Sequence, residues 1–207
     1  MAYPESIQKL IDIFTKLPGI GPRQANRFVF FILKHGTAAD ELIAGLTEIK
    51  KHIEFCIQCF RATEKEKGTL CTFCQSARRD RRLIAVVEKE SDMHNVEKTS
   101  AFSGLYHILG GVISPLDSNS SQKLHLKELY GRIKKILEEE NECEVVFATS
   151  ATTEGDTTSL YIERILAPLK NQHPSLKISR LGRGLSLGSE LEYADEVTLK
   201  NALINRK

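Results

Sequence analysis

Leu83-Ile84-Ala85-Val86-Val87-Glu88 is a short apolar run, β-branched at three of its first five positions, that closes on a carboxylate. Such a run suits a parallel strand buried on both faces. The residues downstream repeat the theme. A polar helical stretch from Ser91 to Thr99 leads to a strand over Tyr106-His107-Ile108-Leu109, closed by Gly110-Gly111. Leu126, Leu129, Ile133, Ile136 and Leu137 mark an amphipathic helix. A strand from Cys143 to Thr149, a helix from Thr157 to Leu169 and a strand from Leu176 to Leu181 follow. Strands alternating with helices predict a parallel α/β sheet with right-handed crossovers. Beyond a loop holding Gly182, Gly184 and Gly188, Glu196 to Leu199 reads as a last short strand.

Upstream of the run the pattern changes. Arg78-Arg79-Asp80-Arg81-Arg82 separates it from a polar, cysteine-bearing segment over 55–76, too short for a core of its own. Before that come three helical patterns. Ile7, Leu10, Ile11, Phe14 and Leu17 form one stripe, stopped by Pro18-Gly19-Ile20-Gly21-Pro22. Ala25, Phe28, Val29, Ile32 and Leu33 form a second helix ending near Gly36. A third covers Ala39 to His52, with Leu42, Ile43, Leu46, Ile49 and Ile53 expected on its inner face. The first stripe is wide for so small a module, so part of it is expected to face another subunit. The segment from Leu199 to Ile204 offers a second such apolar surface.

Composition bounds the class. The 207 residues carry 29 Lys and Arg against 27 Asp and Glu, and 41% are hydrophobic, enough for a real core and too many for a disordered chain. The longest apolar run, Phe28 to Leu33, has six residues, far short of a membrane span. The start of the chain lacks the basic and apolar regions of a secretory signal, so a cytoplasmic protein is expected. Charge is uneven: residues 1–87 hold 14 basic and 9 acidic groups, while residues 88–207 hold 15 and 18. A polyanion, if one binds, meets the front half first.

Three constellations carry chemistry. In Leu17-Pro18-Gly19-Ile20-Gly21-Pro22-Arg23, Gly19 and Gly21 let backbone N–H groups approach a phosphate at a helix N-terminus, where the helix dipole favours an anion. Arg23 and Arg27, four residues apart, can face the same strand of DNA. Such contacts grip the backbone without reading bases. The turn resembles a helix-hairpin-helix motif. Second, Cys56-Ile57-Gln58-Cys59 and Cys71-Thr72-Phe73-Cys74, eleven residues apart, place four thiolates around one tetrahedral Zn²⁺ with no open position for catalysis. A redox C-x-x-C is the rival reading. Cys143, alone in a strand, reads as a small buried residue. Third, Glu88, Asp92, Glu154 and Asp156 follow the carboxyl ends of strands, in the crevice where α/β sheets bind ligands. They either converge to hold Mg²⁺ or are solvated loop carboxylates. No G-x-x-x-x-G-K-[ST] phosphate loop occurs.

Taken in order, these residues resemble the bacterial RecR family of recombination mediators. The resemblance covers essentially the whole chain. It rests on LPGIGP at 17–22, the four cysteines, LIAVVE at 83–88, YHILGGVISPLD at 106–117, ATSATTEGD at 148–156 and GSELEYADEVTL at 188–199. It implies an α+β, multi-module chain. A helix-hairpin-helix module spans 1–54, a four-cysteine zinc finger 55–77, an α/β Toprim domain with a parallel sheet 80–176, and a C-terminal oligomerisation segment 177–207. It also implies rings of four subunits that encircle single- or double-stranded DNA and pair with RecO or RecF, with no membrane role.

Catalytic Toprim enzymes hold Mg²⁺ with a glutamate and a D-x-D pair. Glu88 matches the glutamate, but the D-x-D positions are Ser150 and Thr152, neutral and poor magnesium ligands. The Asn-Pro usual at the start of this loop in RecR-like proteins is replaced by Ser150-Ala151. Losing two carboxylates removes the clamp that two-metal phosphoryl transfer requires. Tyr106, Tyr130, Tyr161 and Tyr193 are expected to pack at apolar positions rather than cleave strands. The expected function is therefore a non-enzymatic DNA clamp and adaptor that promotes recombinase loading at gapped DNA. Glu88, Asp92, Glu154 and Asp156 are left for partner contact or weak metal binding. The alternative is a metal-dependent nuclease or topoisomerase-like enzyme using those same acids.

Overall fold

The structure, a computed structural model, describes residues 3–117 and 119–206. The chain divides into two compact units, residues up to Glu54 and residues from Phe55 onward.

The first unit holds α1 (Glu5–Thr15), α2 (Pro22–Lys34) and α3 (Gly36–His52). Pro22 opens α2 at a position where a missing N–H costs nothing, and Gly19 takes φ 78°, a left-handed conformation that disfavours any residue with a Cβ. Ile11, Ala25 and Val29 are buried, with Ile7, Leu10, Phe14 and Ile20 packed on them. The stripe is thus buried at Ile11 and half-buried at Ile7, Leu10 and Phe14. The surprise is α3. None of its residues is buried, and Leu42, Ile43, Leu46 and Ile49 are exposed where an inner face was expected. The unit's core is built from α1 and α2, and no residue of α3 joins it.

A ribbon, β1 (Ile53–Phe55) against β2 (Ala62–Glu64), follows in the chain, and then a single turn, α4 (Thr72–Gln75), and the sheet of the second unit. That sheet comprises β3 (Asp80–Val87), β4 (Gly104–Ile108), β5 (Cys143–Ala148) and β6 (Leu176–Arg180), ordered β4-β3-β5-β6 and parallel throughout. The sheet therefore continues to Arg180, past residue 176. The helices are α5 (Glu90–Lys98), α6 (Leu126–Glu140), α7 (Thr153–Gln172) and α8 (Glu196–Ile204).

Strand periodicity divides β3 between two cores. Ile84 and Val86 join Leu129, Ile133 and Leu137 of α6 and Ile162, Leu166 and Leu169 of α7 on one face. Ala85 and Val87 join Met93 of α5, Tyr106 and Ile108 on the other, where Phe60 and Phe73 of the cysteine segment also pack. Cys143 is buried in the first core, and burial pushes its thiol up to about 12.

Two boundaries differ from expectation. The helix expected from Thr157 begins at Thr153, because Thr152 caps it by accepting from the Gly155 amide at 3.1 Å. The strand expected over Glu196 to Leu199 is the start of α8. Asp195 accepts from both the amide (2.9 Å) and the hydroxyl (2.7 Å) of Thr198, and this cap outweighs the β-preference of Val197 and Thr198. Among the described residues, no helix is long and apolar enough to cross a membrane.

Candidate nucleic-acid interface and metal centre

In the first unit, Gly21 is the N-cap of α2, and its amide donates to Gln24 Oε1 at 3.3 Å. A Cβ added at Gly19 or Gly21 would meet nothing within 4 Å, so the turn presents open backbone to solvent. Arg23 and Arg27 are exposed on the helix it opens, whose first turn carries no acid. Cations at a helix N-terminus oppose the macrodipole, and an anion seated there relieves that repulsion. The geometry suits a phosphate.

In the second unit, Cys56, Cys59, Cys71 and Cys74 are all buried, and their sulfurs lie within 4.8 Å of one another. Cys59 and Cys71 sulfurs approach to 3.4 Å, and the Cys71 amide donates to Cys56 Sγ at 3.3 Å. Crowding sets the thiols against each other. Hydrogen bonds from Cys59 and Cys71 hold Cys56 far below its usual value, while those with Cys56 and Cys71 push Cys59 far up. A metal ion replacing the protons removes that conflict, and four sulfur donors close a tetrahedral shell. This cluster could hold a metal ion.

The first knuckle is fastened to the sheet. The Ile108 amide donates to Cys59 O at 2.9 Å, and Arg132 Nη1 donates to Gln58 O at 3.1 Å and Tyr106 O at 2.6 Å. Phe60, at φ 64°, lays its ring on His125 with centroids 3.7 Å apart. Burial pushes His107 down to about 3, so its neutral ring donates from Nε2 to His125 O. None of these partners was foreseen from the sequence: Arg132 and Gln58 lie 74 positions apart.

The carboxylates do not converge. After β3 the chain turns to β4 on one side and then crosses to β5 on the other, so a crevice opens at the carboxyl ends of β3 and β5. Glu88 stands in it, buried, and accepts from the Ser150 amide at 2.6 Å and the Ser150 hydroxyl at 3.0 Å. Both of its oxygens are thereby engaged. Asp92 turns back to cap α5, accepting from the Lys89 amide at 3.2 Å. Glu154 and Asp156 lie in the first turn of α7, where acids suit the dipole. Glu154 is exposed, whereas Asp156 is held by the Arg183 guanidinium at both oxygens, which keeps its carboxyl below the usual range. Among the described residues, only the four cysteines gather as three or more ligands within reach of one ion. Tyr106 is buried as expected, but Tyr193 is 79% exposed.

A Toprim domain model matches residues 82–181, a RecR C-terminal model residues 184–207 and a RecR helix-hairpin-helix model residues 7–49. The chain is 43% identical to recombination protein RecR of Cutibacterium acnes, over 99% of this chain and 96% of that protein. The chain belongs to the RecR family. Recombination protein RecR of Staphylococcus saprophyticus is 39% identical over 100% of this chain and 98% of its own length, and that of Chloroherpeton thalassium 41% over 97% and 96%. RecR membership places the chain in DNA recombination and repair. It also accounts for the order of its parts: helix-hairpin-helix, four-cysteine cluster, Toprim sheet and C-terminal segment.

Proposed function

We propose that this RecR-family chain is a non-catalytic DNA clamp and adaptor, working with RecO and RecF to load recombinase at gapped DNA. The observation that carries the reading is the state of Glu88. A Toprim glutamate serves chemistry by holding Mg²⁺ together with further acids; here Glu88 accepts a hydrogen bond at each oxygen from Ser150, a neutral residue at a position where catalytic relatives carry an acid. What is left is a scaffold.

Arg23 and Arg27, with the open turn at Gly19 and Gly21, grip the phosphate backbone of single or double strands without reading sequence. The four cysteines hold Zn²⁺, whose role is to fold a segment with no apolar core of its own. Glu154, exposed at the start of α7, is the carboxylate best placed to meet a basic partner such as RecO. The unpartnered face of α3 and the exposed Leu203 and Ile204 of α8 are two self-interfaces. Two such surfaces per chain close a ring of even number, and a tetramer in the cytoplasm is the form proposed.

The test is topological. A ring releases linear DNA at its ends and holds circular DNA, so the full-length protein should dissociate more slowly from a circle than from linear DNA of equal length. Leu46→Asp, on the exposed face of α3, should abolish that difference. Equal dissociation from both forms by the wild type refutes the clamp.

A further inference from the structure

One face of α2 carries more than the two arginines need. Gln24, Arg27, Phe28, Phe30, Phe31 and Lys34 line a single open groove, with two cations, three aromatic rings and no carboxylate. Phe28 and Phe30 each lean on a ring of their own unit, Phe14 at 6.0 Å and Tyr3 at 5.5 Å. Among the described residues Phe31 meets the ring of His35 alone, 4.5 Å away and tilted by 41°, and it remains 56% exposed. Arg27, Phe31 and Lys34 follow one another at helical spacing of four and three, so they share a side of the helix. Neither cation meets an acid among the described residues.

We propose that this face is a stacking platform for the bases of single-stranded DNA, with Phe31 as the ring and Arg27 and Lys34 holding the flanking phosphates. The proposal rests on the DNA-binding reading above and extends it from backbone to base. Free bases offer π-faces to a ring whatever their identity, whereas a duplex has those faces already stacked. A cationic rim with no acid selects a polyanion over a typical protein surface. Its two cations and lack of a carboxylate also leave a second copy of the face with no opposite charge to pair with Arg27 or Lys34.

The experiment uses the full-length protein with oligo(dT) and with a hairpin duplex. Stacking on one aromatic ring is worth about 1–3 kcal/mol per base, so Phe31→Ala should weaken oligo(dT) binding about tenfold and duplex binding less than about twofold. The slope of log affinity against log salt should stay unchanged, because no charge has been removed. The chain has no tryptophan, so Phe31→Trp supplies a lone reporter. That variant should keep oligo(dT) binding, with emission quenched by oligo(dT) and not by the duplex. Unchanged affinity in Phe31→Ala, equal weakening on both DNAs, or a changed solution mass with intact binding would each overturn the platform, the last assigning the face to a second copy. If Arg23→Ala with Arg27→Ala abolishes binding while Phe31→Ala does not alter it, the backbone grip stands and the stacking alone falls. If the wild type binds neither DNA, both fall together.

Discussion

The cysteine module and the crevice at the ends of β3 and β5 belong to the same unit, yet they treat buried polar groups in opposite ways. In the module four buried thiols face one another within 4.8 Å, with the Cys71 amide donating to Cys56 Sγ. Around the crevice three of the four carboxylates are answered by protein groups, Glu88 by Ser150, Asp92 by the Lys89 amide and Asp156 by Arg183, while Glu154 is exposed. Four thiols without countercharge suit a metal ion; carboxylates already paired with protein groups suit one less. The contrast sets a cluster that could hold a metal ion against carboxylates that have protein partners, and it can be broken or sharpened at several points.

The largest effect belongs to the module. Metal binding to a structural thiolate site is worth about 10–16 kcal/mol, and on the proposed zinc reading it also supports the folding of the segment 55–76. Cys59→Ala should reduce bound zinc from about one per chain to almost none and open this segment to protease, read by metal analysis and mass spectrometry of the fragments. Because ligation requires thiolates, wild-type zinc should also be released as pH falls. Full zinc content in the variant would sink the four-sulfur site.

In the crevice, Gly155→Ala comes next. A Cβ there would lie 2.1 Å from the Ser150 carbonyl oxygen and 3.1 Å from Glu88 Oε1. Backbone cannot yield cheaply, so a loss of about 3 kcal/mol in denaturant unfolding is expected, at the upper end of ordinary overpacking. Glu88→Ala should cost less, about 2 kcal/mol, since it leaves the Ser150 amide buried without an acceptor. Glu88→Gln keeps an acceptor for that amide and should recover most of the loss. On the proposed non-catalytic reading, neither Glu88 variant should change strand cleavage with Mg²⁺. Cleavage by the wild type that disappears in Glu88→Gln would instead restore the enzyme reading.

Distance along the chain decides what could be read before the structure. The cysteine centre was legible because each C-x-x-C pair fixes its own two sulfurs within one turn. The sheet was legible because apolar runs such as Leu83 to Val87 carry their burial with them. Glu88 and Ser150 are 62 positions apart and Asp156 and Arg183 are 27 apart, so nothing local announces either pairing. The apolar period of α3 was read correctly as a face, but periodicity does not say what covers a face. In α8, Val197, Thr198 and Leu199 read as strand, and a single capping carboxylate at Asp195 overrode them.

The smallest effect is the one that distinguishes an answered charge from an idle one. Arg183 reaches both oxygens of Asp156, and Asn205 Nδ2 donates to Arg183 O at 2.9 Å, so this residue ties the start of the C-terminal segment to α7 on one side and to the end of α8 on the other. Both partners are more than a third exposed, so solvent screens the pair and Asp156→Asn should cost under about 1 kcal/mol. Its signature lies in the pH dependence. The hydrogen bonds from Arg183 lower the folded carboxyl below its unfolded value, so the contribution is complete above the ordinary aspartate range and is lost as pH falls through the depressed folded value. The stability difference between wild type and Asp156→Asn should therefore be flat from about pH 5 to 8 and vanish in stronger acid. It should also shrink in high salt. Hydrogen exchange at 182–185 should quicken in the variant before global stability changes, because only a local tie has been cut. A difference that persists undiminished below the folded value would mean that Asp156 acts through packing and not through charge, and the crevice would then hold one less answered carboxylate.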